Sequence, residues 1–450
     1  MGLWEAVALG VGGTIGGGIF VLVGSAAALA GPGALLAFGL AFLASLSIAL
    51  PYAELACRFP EAGGGYAFAR AVLGRRWGFV MGWGFWGAYV FISGYVTLGF
   101  GGYLAAMGGP DPVVGALALV AVCALVNVAG IQLSGRVQVA VVVLALLGLL
   151  AFAAAGAGHV DPSRLAPLLP RGWGGVFLAA LLAFLAFGGF DMVAAAGEEV
   201  RRPERNLPLA ILLTLLIVLA VYGAVALVAL GTLPWEALGA SQAPLREAAR
   251  SFAGPPGAAL VSAAAVLTTA ATANAVLVVT SRISFAMARD GLLPSFLARV
   301  HPRTRAPAGA VLLNGALLAA VAALGSVGVA TSIGGFLYVA HFVPSVLVVL
   351  LPRAGAGTPG GFRTPAPRLV VPCALAACLL LLGASGAVGV LGGLAWLGVG
   401  LAIQAAVGTR SLHDPGGPRR ADAPLAMSPD GGPSPGVPGR PSSARGRSPD

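Results

Sequence analysis

Two short stretches carry residues capable of chemistry inside an otherwise apolar chain. The first, Gly12-Gly13-Thr14-Ile15-Gly16-Gly17-Gly18-Ile19-Phe20, places five glycines within seven residues in the middle of an apolar run. Each glycine costs a helix about 1 kcal/mol relative to alanine, so the cluster predicts a break unless close packing of small residues compensates. Inside a bilayer, the backbone groups freed by a break must be satisfied by protein, water or a ligand. N–H groups opening the second half-helix form an anion site suited to a carboxylate, and carbonyls ending the first half suit a cation or an ammonium group. The second stretch is Phe184-Leu185-Ala186-Phe187-Gly188-Gly189-Phe190-Asp191, followed by Gly197-Glu198-Glu199. It pairs two glycines with flanking aromatics and a carboxyl group near mid-depth, which is what a second discontinuous helix needs. Paired breaks at corresponding places in two halves point to a transporter binding site. Asp191 is a functional candidate as an acid within an apolar span; the competing reading is a buried acid satisfied by backbone donors.

Other polar groups are sparse. Thr268, Thr269 and Thr272 could offer hydroxyl oxygens to a sodium ion beside the carbonyls of the first break, although threonine in a helix also bonds back to its own backbone. Of the histidines His159, His301, His341 and His413, only His341 falls within an apolar run, and no acid stands at metal-ligand spacing from it. No metal or organic cofactor, and no enzymatic activity, is therefore expected; nor is a filter-like loop of a channel visible. Cys57, Cys123, Cys373 and Cys378 match no zinc or disulfide spacing and read as packing residues.

The elements that position these stretches follow from composition. The chain has 450 residues, 58% apolar and only 9% charged, against about 25% charged in soluble domains. That balance excludes a soluble fold and predicts an all-α polytopic membrane protein. Twelve apolar runs lie at about 3–29, 33–57, 77–104, 113–129, 137–156, 175–196, 207–230, 257–286, 308–324, 333–351, 369–382 and 388–407. The breaks fall in runs one and six, so each half has five spans, 3–158 and 172–352, with extra helices at 369–407. Residues 1–410 form the predicted transporter domain, and 411–450, rich in Pro, Gly, Ser and Arg, a disordered cytoplasmic tail.

The formal charge of +10 could suggest a nucleic-acid partner, but all 26 basic residues are arginine and their placement is one-sided. With the N-terminus in the cytoplasm, sixteen arginines ahead of the tail fall in inner loops and four in outer ones. The basic excess thus reports topology, with both termini cytoplasmic in a multi-pass cytoplasmic-membrane protein, and implies no nucleic acid. The first run lacks a basic leader and is expected to remain as a span.

The strings GGTIGGGIFVLVG at 12–24, PEAGGGYAFAR at 60–70 and FGGFDMVAAAGEEVRRPERNLPLAI at 187–211 resemble the amino acid-polyamine-organocation family of amino acid permeases. The resemblance runs from about residue 5 to residue 407. It implies a leucine-transporter-like five-plus-five inverted repeat, with substrate held between discontinuous helices 1 and 6 and alternating access around it. By motif position it implies that the backbone of Ile15, Gly16, Gly17 and Gly18 holds an α-carboxylate, and that carbonyls around Leu185, Ala186 and Gly188 take the α-ammonium. Phe184, Phe187 and Phe190 would line or cover the side-chain pocket. Asp191 matches an acidic family position that could couple protonation to gating. Glu61 and Arg70, with Glu198 and Glu199, would form an inner gate network.

Two departures bear on substrate and coupling. Cationic amino acid transporters of this family often carry a span-three tryptophan motif ending in Glu-Tyr; here Gly82-Trp83-Gly84-Phe85-Trp86-Gly87-Ala88-Tyr89 has Ala88 in place of that Glu. A neutral amino acid is favoured accordingly, the alternative being an amino acid/polyamine or cationic amino acid exchanger of the same fold. Several proton-coupled members carry a span-five lysine, and this chain has no lysine. The candidate coupling ions are H+ and Na+, with exchange the third option. The expected partners are a small-molecule amino acid and the lipid bilayer, for a monomer or homodimer.

Overall fold

The computed structural model describes residues 2–58, 74–130, 135–195, 200–304, 306–350 and 362–411. All regular elements among these are helical. They are α1 (Leu3–Thr14), α2 (Gly18–Ala30), α3 (Ala34–Arg58), α4 (Arg75–Ala106), α5 (Pro112–Val128), α6 (Gly135–Ala157), α7 (Gly172–Ala186) and α8 (Phe190–Ala195). There follow α9 (Pro203–Thr232), α10 (Trp235–Ala240), α11 (Pro244–Arg289), α12 (Ala308–Ala323), α13 (Val327–Val348), α14 (Pro367–Ala384) and α15 (Gly386–Ser411). The chain separates into two units, Met1–Gly408 and Thr409–Asp450. The expected tail beyond Ser411 lies outside the described residues, as do Glu61, Arg70, Glu198 and Glu199.

Among the described residues, eight helices are long and apolar enough to cross a membrane; Pro112–Val128, Gly172–Ala186 and Ala308–Ala323 are shorter apolar helices. Breaks and starts follow local chemistry. Asp111 caps α5 by accepting the Val113 N–H at 2.9 Å, and Ser326 caps α13 by accepting that of Val329. Between α2 and α3, the 3-10 turn Gly31–Gly33 opens on Gly31 at φ +60, a conformation that favours glycine. The long α11 kinks at Gly254, also at positive φ, just before Pro255 and Pro256.

Leu125, Leu260, Leu369, Leu379 and Leu391 are all more than 60% exposed. That outer surface suits acyl chains, whereas the polar atoms turn inward. At the centre, α4 packs against α11 and α13, while the two broken spans meet half to half, α2 on α7 and α1 on α8. Polar clamps tie the bundle: the indoles of Trp83 and Trp396 each donate to the other's carbonyl, and the Trp86 indole donates to Asn314 Oδ1 at 2.7 Å. Interhelical bonds of this kind supply adhesion where lipid removes the hydrophobic drive. Cys57, Cys123 and Cys378 are buried and Cys373 is exposed, all as free thiols.

Candidate functional site

The glycine cluster interrupts its helix for three residues. Ile15, capping α1, leaves the helical region at φ −76, ψ 79, and α2 restarts at Gly18. Hydroxyls from two other helices satisfy part of the freed backbone. Tyr222 of α9 donates to the Thr14 carbonyl at 2.9 Å, and the Gly17 N–H donates to Thr272 Oγ1 of α11 at 3.2 Å. Space is tight on the α11 side: a Cβ at Gly16 would fall 2.8 Å from Thr272 Oγ1, and one at Gly17 2.8 Å from Thr269 Cγ2.

The second break separates α7 from α8. Gly189 has φ +128, and a Cβ there would lie 2.6 Å from the carbonyl carbon of Gly13. The two discontinuities therefore press backbone on backbone. Just beyond, Asp191 is 3% exposed in the first turn of α8. Its Oδ1 accepts the Gly189 N–H at 3.1 Å and the Tyr338 hydroxyl of α13 at 3.2 Å, while Oδ2 takes a looser 3.5 Å contact from the Tyr89 hydroxyl of α4.

Between the breaks lies a cavity of about 100 Å³. Break one contributes Gly12, Gly13, Thr14, Gly16, Gly17 and Gly18, and break six contributes Leu185, Ala186 and Gly188. Tyr89, Tyr95, Tyr338 and Thr272 add hydroxyls, and Ile92, Ala275, Val276 and Val279 an aliphatic side. No charged side chain is among these lining residues. The opening turn of α2 supplies N–H groups without intrahelical partners, and the final turn of α7 supplies carbonyls of the opposite polarity. Such a site can hold a zwitterion by its two charged ends.

Of the sequence-predicted residues, Gly16, Gly17, Gly18, Leu185, Ala186, Gly188 and Thr272 converge on the cavity wall. Ile15 is buried beside it. Phe184, Phe187 and Phe190 do not line this cavity; they are fully buried in the aromatic packing behind it, Phe184 against Tyr338, Phe187 against Tyr222 and Phe190 against Phe342. The hydroxyls of Thr268, Thr269 and Thr272 donate back to carbonyls of their own helix. Asp191 stands one layer away, reaching the cavity through Tyr89 and Tyr338. Sequence reasoning missed Tyr95, Tyr222 and Tyr338 as well as the aliphatic wall of α11, and quoted Tyr89 only within its motif.

Below the cavity, Glu54 at the end of α3 pairs with Arg58 and accepts the N–H and hydroxyl of Thr364 at 2.9 and 2.6 Å. This buried carboxylate fastens the segment leading into α14 onto α3.

Comparison with known proteins gives the geometry a context. The sequence profile described as amino acid permease matches residues 1–398. The branched-chain amino acid permease BcaP of Bacillus subtilis is 34% identical over 427 residues, covering 90% of this chain and 91% of the relative. The methylthioribose transporter of the same organism is 30% identical over 422 residues, covering 89% and 91%. Human cationic amino acid transporter 4 is 32% identical over 343 residues, 70% of this chain and 54% of the relative.

Proposed function

The chain belongs to the amino acid permease family, and from that membership we propose that it is a secondary active transporter of neutral aliphatic amino acids across the cytoplasmic membrane. The observation that carries this reading is the uncharged cavity between two helix breaks of opposite backbone polarity. The α-carboxylate sits at the N–H groups opening α2 from Gly18, and the α-ammonium at the carbonyls ending α7. Ile92, Val276 and Val279 receive the side chain, a wall suited to a branched aliphatic group. A cationic side chain would find no acid there, since Asp191 already accepts three donors.

In this reading the breaks divide one domain of twelve spans into a five-plus-five inverted repeat. Counting α1 with α2, and α7 with α8, as single interrupted spans supports that number. So does the 41-residue helical stretch Gly18–Arg58, about 60 Å of helix and twice the hydrocarbon thickness. Both termini face the cytoplasm, and alternating access proceeds as the paired halves rock around the cavity. A proton on Asp191 is the coupling event. As an acceptor of three donors the carboxyl is in a carboxylate's geometry; a proton added at Oδ2 turns that atom into a donor and reverses the bond, so that the Tyr89 oxygen accepts and its own proton turns to another partner. Protonation is thereby signalled to the cavity wall. The threonine hydroxyls, whose protons are spent on their own helix, still have lone pairs, but the Gly17 N–H already takes one at Thr272, which weighs against a sodium ion there.

Uptake into proteoliposomes, with a panel of amino acids and polyamines, tests the reading. Saturable uptake of branched aliphatic amino acids, competed by one another and unaffected by arginine or polyamines, is the expected result. Transport of only cationic substrates would replace it with the exchanger reading.

A further inference from the structure

Tyr222 touches both discontinuities at once. Its side chain is fully buried, its hydroxyl donates to the Thr14 carbonyl at 2.9 Å, and its ring lies edge-on to Phe187, the residue capping α7, with centroids 5.8 Å apart. A third contact, with Phe38 of α3 at 6.3 Å, holds the ring from the other side. The Thr14 carbonyl is the last acceptor before the interruption in helix one. That carbonyl also accepts the Gly16 N–H at 2.8 Å across a tight three-residue turn; the Tyr222 hydroxyl is its second donor, and without it the end of α1 and the turn that follows lose their tie to α9.

We infer that Tyr222 is a positioning residue that ties the two breaks together: its hydroxyl sets the end of α1, its ring sets the end of α7, and the distance between the two poles of the zwitterion site follows. This rests on the substrate reading above. Tyr222 does not line the cavity, so it acts through Thr14 and Phe187 and touches no substrate. Because it stands on α9, movement of that helix reaches both poles together.

Tyr222→Phe removes the hydroxyl and keeps the ring. Tyr103→Phe is the matched control, since Tyr103 is as deeply buried and its hydroxyl also caps a backbone carbonyl of the same broken span, that of Phe20 at 2.8 Å, away from the cavity. Equilibrium binding of radiolabelled leucine to purified protein, together with thermal unfolding, reads both variants. Tyr103→Phe should lose at least as much thermal stability, because its hydroxyl also accepts the Leu245 N–H at 3.3 Å, but only Tyr222→Phe should weaken leucine binding, by about tenfold. Equal weakening in the two variants, or binding within twofold of the native protein in Tyr222→Phe, overturns the inference. If Tyr222→Phe does not fold, Phe187→Leu tests the other end of the strut; native binding strength in that variant also overturns it. Failure of the native protein to bind any neutral amino acid is a different result, overturning the substrate reading and this inference with it.

Discussion

The two breaks reach the same outcome by opposite means. Break one is made almost entirely of glycine and borrows hydroxyls, Tyr222 from α9 and Thr272 from α11, to hold its freed backbone. Break six carries its own polar group: Asp191 accepts the N–H of Gly189 two residues before it and draws tyrosines in from α4 and α13. One break is thus backbone exposed on the cavity wall, the other a charge buried behind that wall. In the proposed carrier the first is the pole that binds substrate and the second the group that takes the coupling proton.

The comparison can be broken from either side. The largest effect is expected from Gly189→Ala, where positive φ and the approach of the Gly13 backbone leave no escape; a loss on the order of 4 kcal/mol should appear as absent monodisperse protein after detergent extraction. Gly17→Ala meets only a threonine methyl, which can shift. Folded protein should survive while initial uptake falls on the order of a hundredfold, the scale of misplacing a bound group by an ångström. Asp191→Asn should leave binding of the zwitterion within threefold but lower uptake about tenfold, the scale of one altered buried hydrogen bond, and flatten the pH profile of uptake. A profile that keeps its native shape removes Asp191 from coupling. The smallest effect is expected for Phe184→Leu, which acts on packing behind the wall: about 1 kcal/mol of stability, read by thermal unfolding, with unchanged KM.

What was legible in the sequence was what is local. Five glycines in seven residues, a glycine pair before Asp191, and long apolar runs are each visible within a window of ten to twenty residues, and they located both breaks and the helical membrane fold. What was not legible depends on distant pairings. Tyr222 lies 208 residues from the carbonyl it caps, and Tyr338 lies 147 from Asp191. A lone tyrosine in an apolar helix looks like packing until its hydroxyl has an address. The phenylalanines illustrate the reverse case. Phe184, Phe187 and Phe190 stand beside the glycines in sequence, yet they project into the aromatic layer behind the cavity, because helix geometry turns neighbours to different faces. Glu54 escaped notice for a similar reason, its Thr364 partner lying 310 residues away.

The central claim is that the two breaks bind the two ends of one zwitterion. Competition against radiolabelled leucine uptake tests it most directly, using isoamylamine, which lacks the carboxylate, and 4-methylpentanoate, which lacks the ammonium. The account predicts that neither competes at concentrations where unlabelled leucine abolishes uptake; competition by either analogue as strong as that of leucine contradicts it.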